Sequence, residues 1–275
     1  VIDPSICYAI EGIPNYKYMT QALKSPGILT QFNNYPPGGS RIFFQNGNIP
    51  EPGSILVQKA LGSSLDSLIG ANQGISGDRV KAINAANNNF YNGEISERID
   101  TNVSKLGGLL TYKDLNQYKA KSEEPINTTF HKYKVHGQGT WSQAAVLLQS
   151  LNILERFDLH HLGHNTPDYI HTVVEAMKLS MADREAYYGD PDFTDVPIDG
   201  LLSKEYSAER RKLIDKDYPS VEMPSHGDPY FYSSLNGVKP KFVKPVYNPG
   251  ILDRQSGTTH IAVQDKHGNI ACSTP

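Results

Sequence analysis

Apolar positions along this chain recur mostly at helical spacing, and the polar and breaker residues between them mark where each run stops. Ile2, Ile6, Ala9 and Ile10 lie on one helical face, so residues 1–24 are expected to be helical in part, interrupted by Gly12 and Pro14. Residues 25–53 carry Pro26-Gly27, Pro36-Pro37-Gly38-Gly39 and Pro50-Glu51-Pro52-Gly53 and read as turns. Spaced apolar positions predict helices over 54–70 and 77–91, with Asn87-Asn88-Asn89 and Asn92-Gly93 as the end signal. A further helix over 94–105 is stopped by Gly107-Gly108. Thr111 caps a short helix, Tyr112 to Tyr118, with Asp114 in the position that completes a variant capping box.

The second half changes period twice. Residues 125–136 alternate and read as a strand or hairpin. Ser142 to Arg156 returns to helical spacing, with Ala145, Leu148, Leu151, Ile153 and Leu154 toward the core. Thr166-Pro167-Asp168 combines a capping threonine with proline at the first helical position, opening a helix that Gly189-Asp190-Pro191 ends. Residues 190–200 read as loop, and Ser203 opens a helix to about Asp215. Residues 217–250 show little periodicity and predict a long irregular connection. Thr258 to Val263 then alternates, Asp265 to Asn269 reads as a turn, and Ile270 to Ser273 resumes as strand.

Composition narrows the function classes. The 275 residues carry 26 Lys+Arg against 29 Asp+Glu, a net charge of −3, which argues against a nucleic-acid partner. Mean hydropathy is −0.45. Apolar runs such as Ala144 to Leu148 fall far short of the ~20 residues needed to cross a bilayer, so no membrane insertion is expected. Two cysteines, Cys7 and Cys272, make neither a disulfide framework nor a zinc site, and are expected as separate, mostly buried thiols. The opening Val1-Ile2-Asp3-Pro4 lacks the pattern of a secretory signal, and both ends read as the middle of something longer.

The residues before the last hairpin carry the most chemistry. A polar stretch delivers Ser256-Gly257-Thr258-Thr259 to the start of a strand. A Gly-Thr junction suits an acyl shift: the hydroxyl attacks the preceding carbonyl, and hydrolysis of the resulting ester frees an N-terminal threonine. Glycine tolerates the twisted backbone that this attack requires. The freed α-amine, with a pKa of about 7.7, can then accept the proton of its own hydroxyl, giving a nucleophile and base in one residue. Threonine is also simply favoured in strands, so the junction alone is compatible with an ordinary strand start.

The run Gly257-Thr258-Thr259-His260-Ile261-Ala262-Val263-Gln264-Asp265-Lys266-His267-Gly268-Asn269 resembles the processing site of the γ-glutamyltranspeptidase family, a group of N-terminal-nucleophile hydrolases. The family pattern is Thr-Thr-His, two or three strand residues, then Asp-x-x-Gly-Asn. Upstream, Phe90-Tyr91-Asn92-Gly93-Glu94-Ile95 resembles its FYxGEIA stretch, and Gly107 to Tyr118 its GGLLTxEDLxxY stretch. Leu151 to Leu159 resembles its LNILEGFDL stretch. Glu175-Ala176-Met177-Lys178, Ala182-Asp183-Arg184 and Tyr188-Gly189-Asp190-Pro191-Asp192-Phe193 are similar to the helix and loop that follow.

The resemblance implies an α/β (α+β) fold: a four-layer αββα N-terminal-nucleophile hydrolase sandwich, two antiparallel sheets between helical layers, incomplete in this chain. It implies that residues 1–257 are the C-terminal portion of a large subunit, largely helical, with a flexible linker at 217–257. Residues 258–275 would be the first β-hairpin of the small subunit. Thr258 stands at the catalytic threonine and Gly257 at the last large-subunit residue, the two forming the processing site. Thr259 would begin the strand beneath the nucleophile, and Thr274 would lie on the next strand. The second supporting threonine and the oxyanion-hole residues would follow Pro275, and the arginine that grips the α-carboxylate would precede Val1. The implied partners are a small-molecule amide, glutathione-like, and the remaining small-subunit segment of the same precursor. No metal or organic cofactor is implied, and the compartment implied is the periplasm or the exterior. Ser273-Thr274-Pro275 departs from the family's Thr-Tyr-Thr and is similar to acylase-like and amidase-like relatives. Three readings stay open: a γ-glutamyl hydrolase and transferase, a related acylase on another amide, and a non-processing, non-catalytic homologue.

Other clusters read as structural. His160, His161, His164 and His171 lack carboxylate partners at ligand spacing. Asp190, Asp192, Asp195 and Asp199 lack the glycine and terminal glutamate of a calcium loop and are expected as turn and cap carboxylates. Glu209-Arg210-Arg211-Lys212 reads as a solvated helix face. Asn102-Val103-Ser104 and Asn127-Thr128-Thr129 fit the glycosylation sequon.

Overall fold

The computed structural model describes residues 2–34, 38–71, 75, 77–237 and 261–273. The chain divides into two units, 1–121 and 122–275.

The first unit is mainly helical. Helix α1 (Asp3–Glu11) ends at Gly12, whose φ of +92° suits glycine and where a Cβ would overlap Ile55. Strand β1 (Ile13–Pro14) and helices α2 (Lys17–Leu23), α3 (Pro26–Asn34) and α4 (Gly38–Phe43) follow. Residues 25–53 were expected as turns, so α3 and α4 correct that reading. Pro26 takes the first helical position, where its missing N–H loses nothing and its ring presets φ. The turn at Pro50 is real: its carbonyl accepts from the buried Asn15 Nδ2 (3.0 Å) and Thr20 Oγ1 (2.9 Å). Strand β2 (Ile55–Leu56) pairs antiparallel with β1, Ile13 opposite Leu56.

Helix α5 (Lys59–Gly70) lies against α1 at Gly62, where a Cβ would come 2.6 Å from Ile10. Helix α6 (Arg79–Asn92) ends at Asn92-Gly93, where the end signal places it. Asn89 donates to the Ser67 carbonyl (2.9 Å) and Asn92 to Asn88 Oδ1 (2.8 Å). Helix α7 (Glu94–Lys105) stops before Gly107 (φ +75°), and α8 (Tyr112–Gln117) carries the expected capping box between Thr111 and Asp114.

The second unit begins with a hairpin, β3 (Ile126–Phe130) and β4 (Tyr133–Gly137), in register Ile126 with Gly137 and Phe130 with Tyr133. Helix α9 (Ala144–Leu154) then crosses the middle of the unit. It is buried almost all round, with Gln149, Ser150 and Asn152 as enclosed as Leu148 and Ile153. Neighbours thus cover its polar as well as its apolar positions. Asn152 accepts from Thr128 of β3 (2.6 Å), and Ser150 meets Ser180 (3.0 Å). Helices α10 (Leu159–Leu162) and α11 (Pro167–Tyr187) follow, the latter capped by Thr166 as expected. Ile153, Leu154, Ala176 and Leu179 form one core cluster between α9 and α11.

Residues 190–200 are loop except for the start of α12 (Ile198–Leu201), and α13 (Lys204–Arg211) is capped by Ser203. The solvated face expected at Glu209 to Lys212 is half wrong. Glu209 and Lys212 pair in solvent, but Arg210 is 4% exposed, and Arg211 donates to the carbonyls of Ile153 (2.7 Å) and Asn152 (2.9 Å). On so short a helix all four are legible only as charges; that Arg210 and Arg211 turn inward depends on α9 and α11.

Residues 215–235 carry no helix or strand beyond a 3-10 turn at Pro229–Tyr232. Within them Pro229 and Tyr230 are buried. Strands β5 (Ile261–Gln264) and β6 (Ile270–Ser273) pair antiparallel, Ile261 with Ser273 and Gln264 with Ile270. Cys7 and Cys272 are unpaired as expected, but both are exposed, not buried.

Candidate active site

The residues on which the sequence places the chemistry, Gly257, Thr258, Thr259 and Thr274, lie outside the described residues. What the structure describes is the hairpin that flanks them. β5 begins at Ile261, and its register to β6 is set by the turn between them. Asp265 accepts from the backbone N–H of His267 (2.8 Å) and of Asn269 (2.9 Å), and from Asn269 Nδ2 (2.8 Å). Gly268 supplies the positive φ of +85° that closes the turn. Asp-x-x-Gly-Asn is thus a turn-forming unit: an Asx-type carboxylate, a left-handed glycine and an amide that returns to the carboxylate. The Asn269 side chain is the main cause holding the Asp265 carboxyl below its usual range, with the backbone donors adding to it. Ile261, Val263 and Ile270 on this hairpin are all exposed.

A second polar centre lies deep in the second unit and was not foreseen. Asp183, on α11, has no exposed side-chain surface. Its Oδ1 accepts from Arg210 Nη2 (3.2 Å) and the Gly227 N–H (2.9 Å), and its Oδ2 from Tyr206 Oη (2.8 Å) and Gln149 Nε2. Burial pushes the Asp183 carboxyl above its ordinary range against the opposing pull of Arg210 and these donors. Burial likewise raises the Tyr206 and Tyr187 phenols, with Asp183 adding to both. With four donors on two oxygens and no opening to solvent, Asp183 is a fastening point and not a proton carrier. The sequence held one clue. Ala176, Leu179 and Tyr187 mark the core stripe of α11, and Asp183 falls in that stripe, where a charge requires a partner.

Asp199, at the start of α12, is a third carboxylate center. It accepts from Ser233 Oγ (2.6 Å) and from the backbone N–H of Ser234 (2.8 Å) and Gly200 (3.0 Å). These donors, led by Ser233, overcome partial desolvation and hold its carboxyl down at about 2. Asp190 and Asp199 are therefore turn and cap acceptors as expected, Asp190 Oδ1 taking the Asp192 N–H. His171 meets the Asp215 carbonyl (2.7 Å), and among the described residues no three His, Cys, Asp or Glu converge as a metal site.

Among the described residues, clefts open on the second unit, three of which are well defined. One of about 470 Å³ follows α11 from Pro167 to Lys178, another of about 470 Å³ lies between His131 and His160, and one of about 380 Å³ is bounded by Thr140, Trp141, Arg184 and Asp190. None of these three sets a hydroxyl beside an imidazole, so none offers an alternative nucleophile and base. No helix among the described residues is long and apolar enough to cross a membrane.

Known proteins extend this picture. The family model described as Gamma-glutamyltranspeptidase matches residues 1–275. The "Glutathione hydrolase proenzyme" of Bacillus subtilis is 30% identical over 276 residues, covering 100% of this chain and 43% of that protein. The chain therefore spans less than half the length of that relative. Among solved structures, Helicobacter pylori gamma-glutamyltranspeptidase matches with TM-score 0.69 and 29% identity, over 80% of this chain and 59% of that one. Cephalosporin acylase from Bacillus halodurans matches with TM-score 0.68 and 28% identity, over 82% of this chain and 39% of that one. The mixed helix and strand content found here is part of the N-terminal-nucleophile hydrolase fold of these neighbours, the class the sequence led to. A match along its full length, together with a turn built from the family's own Asp-x-x-Gly-Asn residues, makes this chain a member of the gamma-glutamyltranspeptidase family.

Proposed function

We propose that the protein is an autoprocessing threonine amidase and transferase acting on γ-glutamyl amides. The observation that carries this reading is the β5–β6 hairpin with its Asp265–Asn269 turn, directly downstream of the Gly257-Thr258 junction in a chain of this family. In the first stage Thr258 Oγ attacks the Gly257 carbonyl carbon. The C–N bond breaks, an ester forms, and the nitrogen leaves as the α-amine of Thr258. Water hydrolyses the ester, giving a fragment ending at Gly257 and one starting at Thr258. In the second stage the α-amine takes the Oγ proton while Oγ attacks the substrate amide. The leaving amine departs with a proton, and water or a second amine resolves the acyl-enzyme. On this reading Thr259 and Thr274 support this nucleophile.

On this reading residues 1–257 belong to the large subunit and 258–275 open the small one. The remaining small-subunit segment of the precursor then covers Ile261, Val263 and Ile270. A full-length Thr258→Ala protein stays as one band on a denaturing gel and does not release p-nitroaniline from γ-glutamyl-p-nitroanilide; cleavage or turnover in that variant refutes the assignment.

A second reading, an acylase on a different amide, draws on a specific observation: the acylase and transpeptidase neighbours match this chain equally well, at TM-scores of 0.68 and 0.69. Ser273-Thr274-Pro275, in place of the family's Thr-Tyr-Thr, favours it too. Simple acyl amides assayed beside γ-glutamyl-p-nitroanilide separate the two.

A further inference from the structure

Three asparagines in this chain precede a glycine: Asn46, Asn92 and Asn236. Asparagine is chemically labile, and such a pair can close on itself. The glycine nitrogen, once it has lost its proton, attacks the side-chain carbonyl carbon, and no Cβ on the glycine shields the approach. The structure gives the first two pairs opposite surroundings, and the third borders residues outside the description.

Asn46-Gly47 is the tip of a tight turn. The Gln45 N–H donates to the Asn48 carbonyl (2.8 Å) and the Asn48 N–H to the Gln45 carbonyl (2.9 Å). Asn46 at φ +52° and Gly47 at φ +79° are both left-handed, as a two-residue type I′ turn requires. Both residues are exposed, and a Cβ at Gly47 would meet nothing within 4 Å. Asn48 Nδ2 donates to the Asn46 carbonyl (3.3 Å), which leaves both reacting groups untouched. Neither the Asn46 side-chain amide nor the Gly47 N–H has a hydrogen-bond partner among the described residues. The nitrogen is open to base, and the amide is free to turn toward it.

Asn92-Gly93 is closed off. Asn92 is the last residue of α6. Its Nδ2 donates to Asn88 Oδ1 (2.8 Å), and its Oδ1 accepts from Asn116 Nδ2 of α8. Turning this amide onto the Gly93 nitrogen breaks both bonds. Gly93 is also packed tightly, since a Cβ there would come 2.5 Å from the Asn89 carbonyl oxygen.

We propose that Asn46 is a site of self-modification in the folded protein, a turn that deamidates by itself, while Asn92 is protected by its partners. The deprotonated Gly47 nitrogen attacks Asn46 Cγ. The bond from Cγ to Nδ2 breaks, and ammonia leaves after taking a proton from water. Water then opens the five-membered imide. Opening at Cγ leaves aspartate. Opening at the main-chain carbonyl leaves isoaspartate, whose backbone runs through the side chain and is longer by a methylene. That extra length shifts Asn48 against Gln45, whose Nε2 holds the Ile55 carbonyl of β2 (2.7 Å). The modification thus loosens the end of the β1–β2 pair. This chemistry is independent of the Gly257-Thr258 junction.

The experiment incubates full-length protein at neutral and mildly alkaline pH, folded and in urea. It follows the Asn46 and Asn92 peptides by mass spectrometry, with isoaspartate read by an isoaspartate-specific carboxyl methyltransferase. In the folded protein Asn46 is expected to convert at least about ten-fold faster than Asn92, inside the range of up to about a hundred-fold that a misplacement of ~1 Å imposes on a proximity-driven step. The rate rises with pH, because the attacking nitrogen must first lose its proton. In urea, with the partners of Asn92 gone, the two rates converge. Amide exchange at Asn48 quickens in the modified fraction. Equal rates in the folded protein overturn the proposal. So does a preference for Asn46 that persists undiminished in urea, which assigns it to flanking residues and not to the fold. Unchanged exchange at Asn48 overturns the effect on β2.

Discussion

Removing Arg210 tests whether the buried centre of the second unit holds the fold as its geometry implies. Arg210→Met keeps the length and apolar stem of the side chain but deletes the charge beside Asp183, which has no exposed surface. Breaking a buried pair from one side typically destabilises by about 3–5 kcal/mol, because the other charge is left uncompensated. Here Asp183 retains Gly227, Tyr206 and Gln149 as donors, so the lower end, about 3 kcal/mol, applies. The carbonyl of Ser225 also loses its donor, which adds to the loss. For a cooperative unit of roughly 150–250 residues, about 3 kcal/mol lowers the melting temperature by about 6–12 °C.

The variant carries a pH signature as well. Asp183 already has its carboxyl raised by burial, and Arg210 is the largest influence pulling it down. Without Arg210 the folded-state pKa climbs further above the unfolded value. A carboxyl raised by folding contributes stability below its unfolded pKa and loses it as pH rises through the folded pKa. Arg210→Met is therefore closest to wild type in acid and falls progressively behind as pH increases. Thermal melts of full-length wild type and variant at several pH values between 5 and 8 read both effects. A deficit below about 1 kcal/mol, or one that does not change with pH, refutes the account of Asp183 as an ionised, partner-dependent anchor.

Two further outcomes follow from close contacts and from the turn. Gly227→Ala forces the Tyr206 hydroxyl off Asp183 and is expected to destabilise by about 1–3 kcal/mol, measurable by urea denaturation, while Gly237→Ala, with open space around its Cβ but a φ of +90°, carries only backbone strain and no clash. Asp265→Ala removes the acceptor for the His267 and Asn269 amides, so hydrogen exchange at those two amides is expected to quicken, with the other hairpin amides as the internal control.

Local signals in this chain were legible wherever a few neighbouring residues decide the outcome. The Thr111–Asp114 capping box, the Thr166-Pro167 helix start and the Asp265–Asn269 turn formed as read because each depends on side chains reaching nearby backbone, and the β3–β4 hairpin formed because its two alternating strands are neighbours in sequence. Pro26-Gly27 misled because the same dipeptide that opens a turn also suits the first turn of a helix. Of the segment proposed above as the processing site, the sequence supplied the order of residues, Gly257 to Asn269, and with it the family.

The amino-acid sequence by itself determined the class of fold and the family, since both are carried by short ordered motifs. Only the tertiary structure decided which charges were interior. Asp183 and Arg210 read as ordinary helical charges, and Ser225, Gly227, Ser233 and Ser234 as residues of a loose connection. Each found its partner many residues away in sequence, and a buried charge is tolerable only when distant elements bring the donors that compensate it. Periodicity along one element carries no record of such partners, so the contacts of Ser225, Gly227, Ser233 and Ser234 became visible only once α11, α12 and α13 were packed.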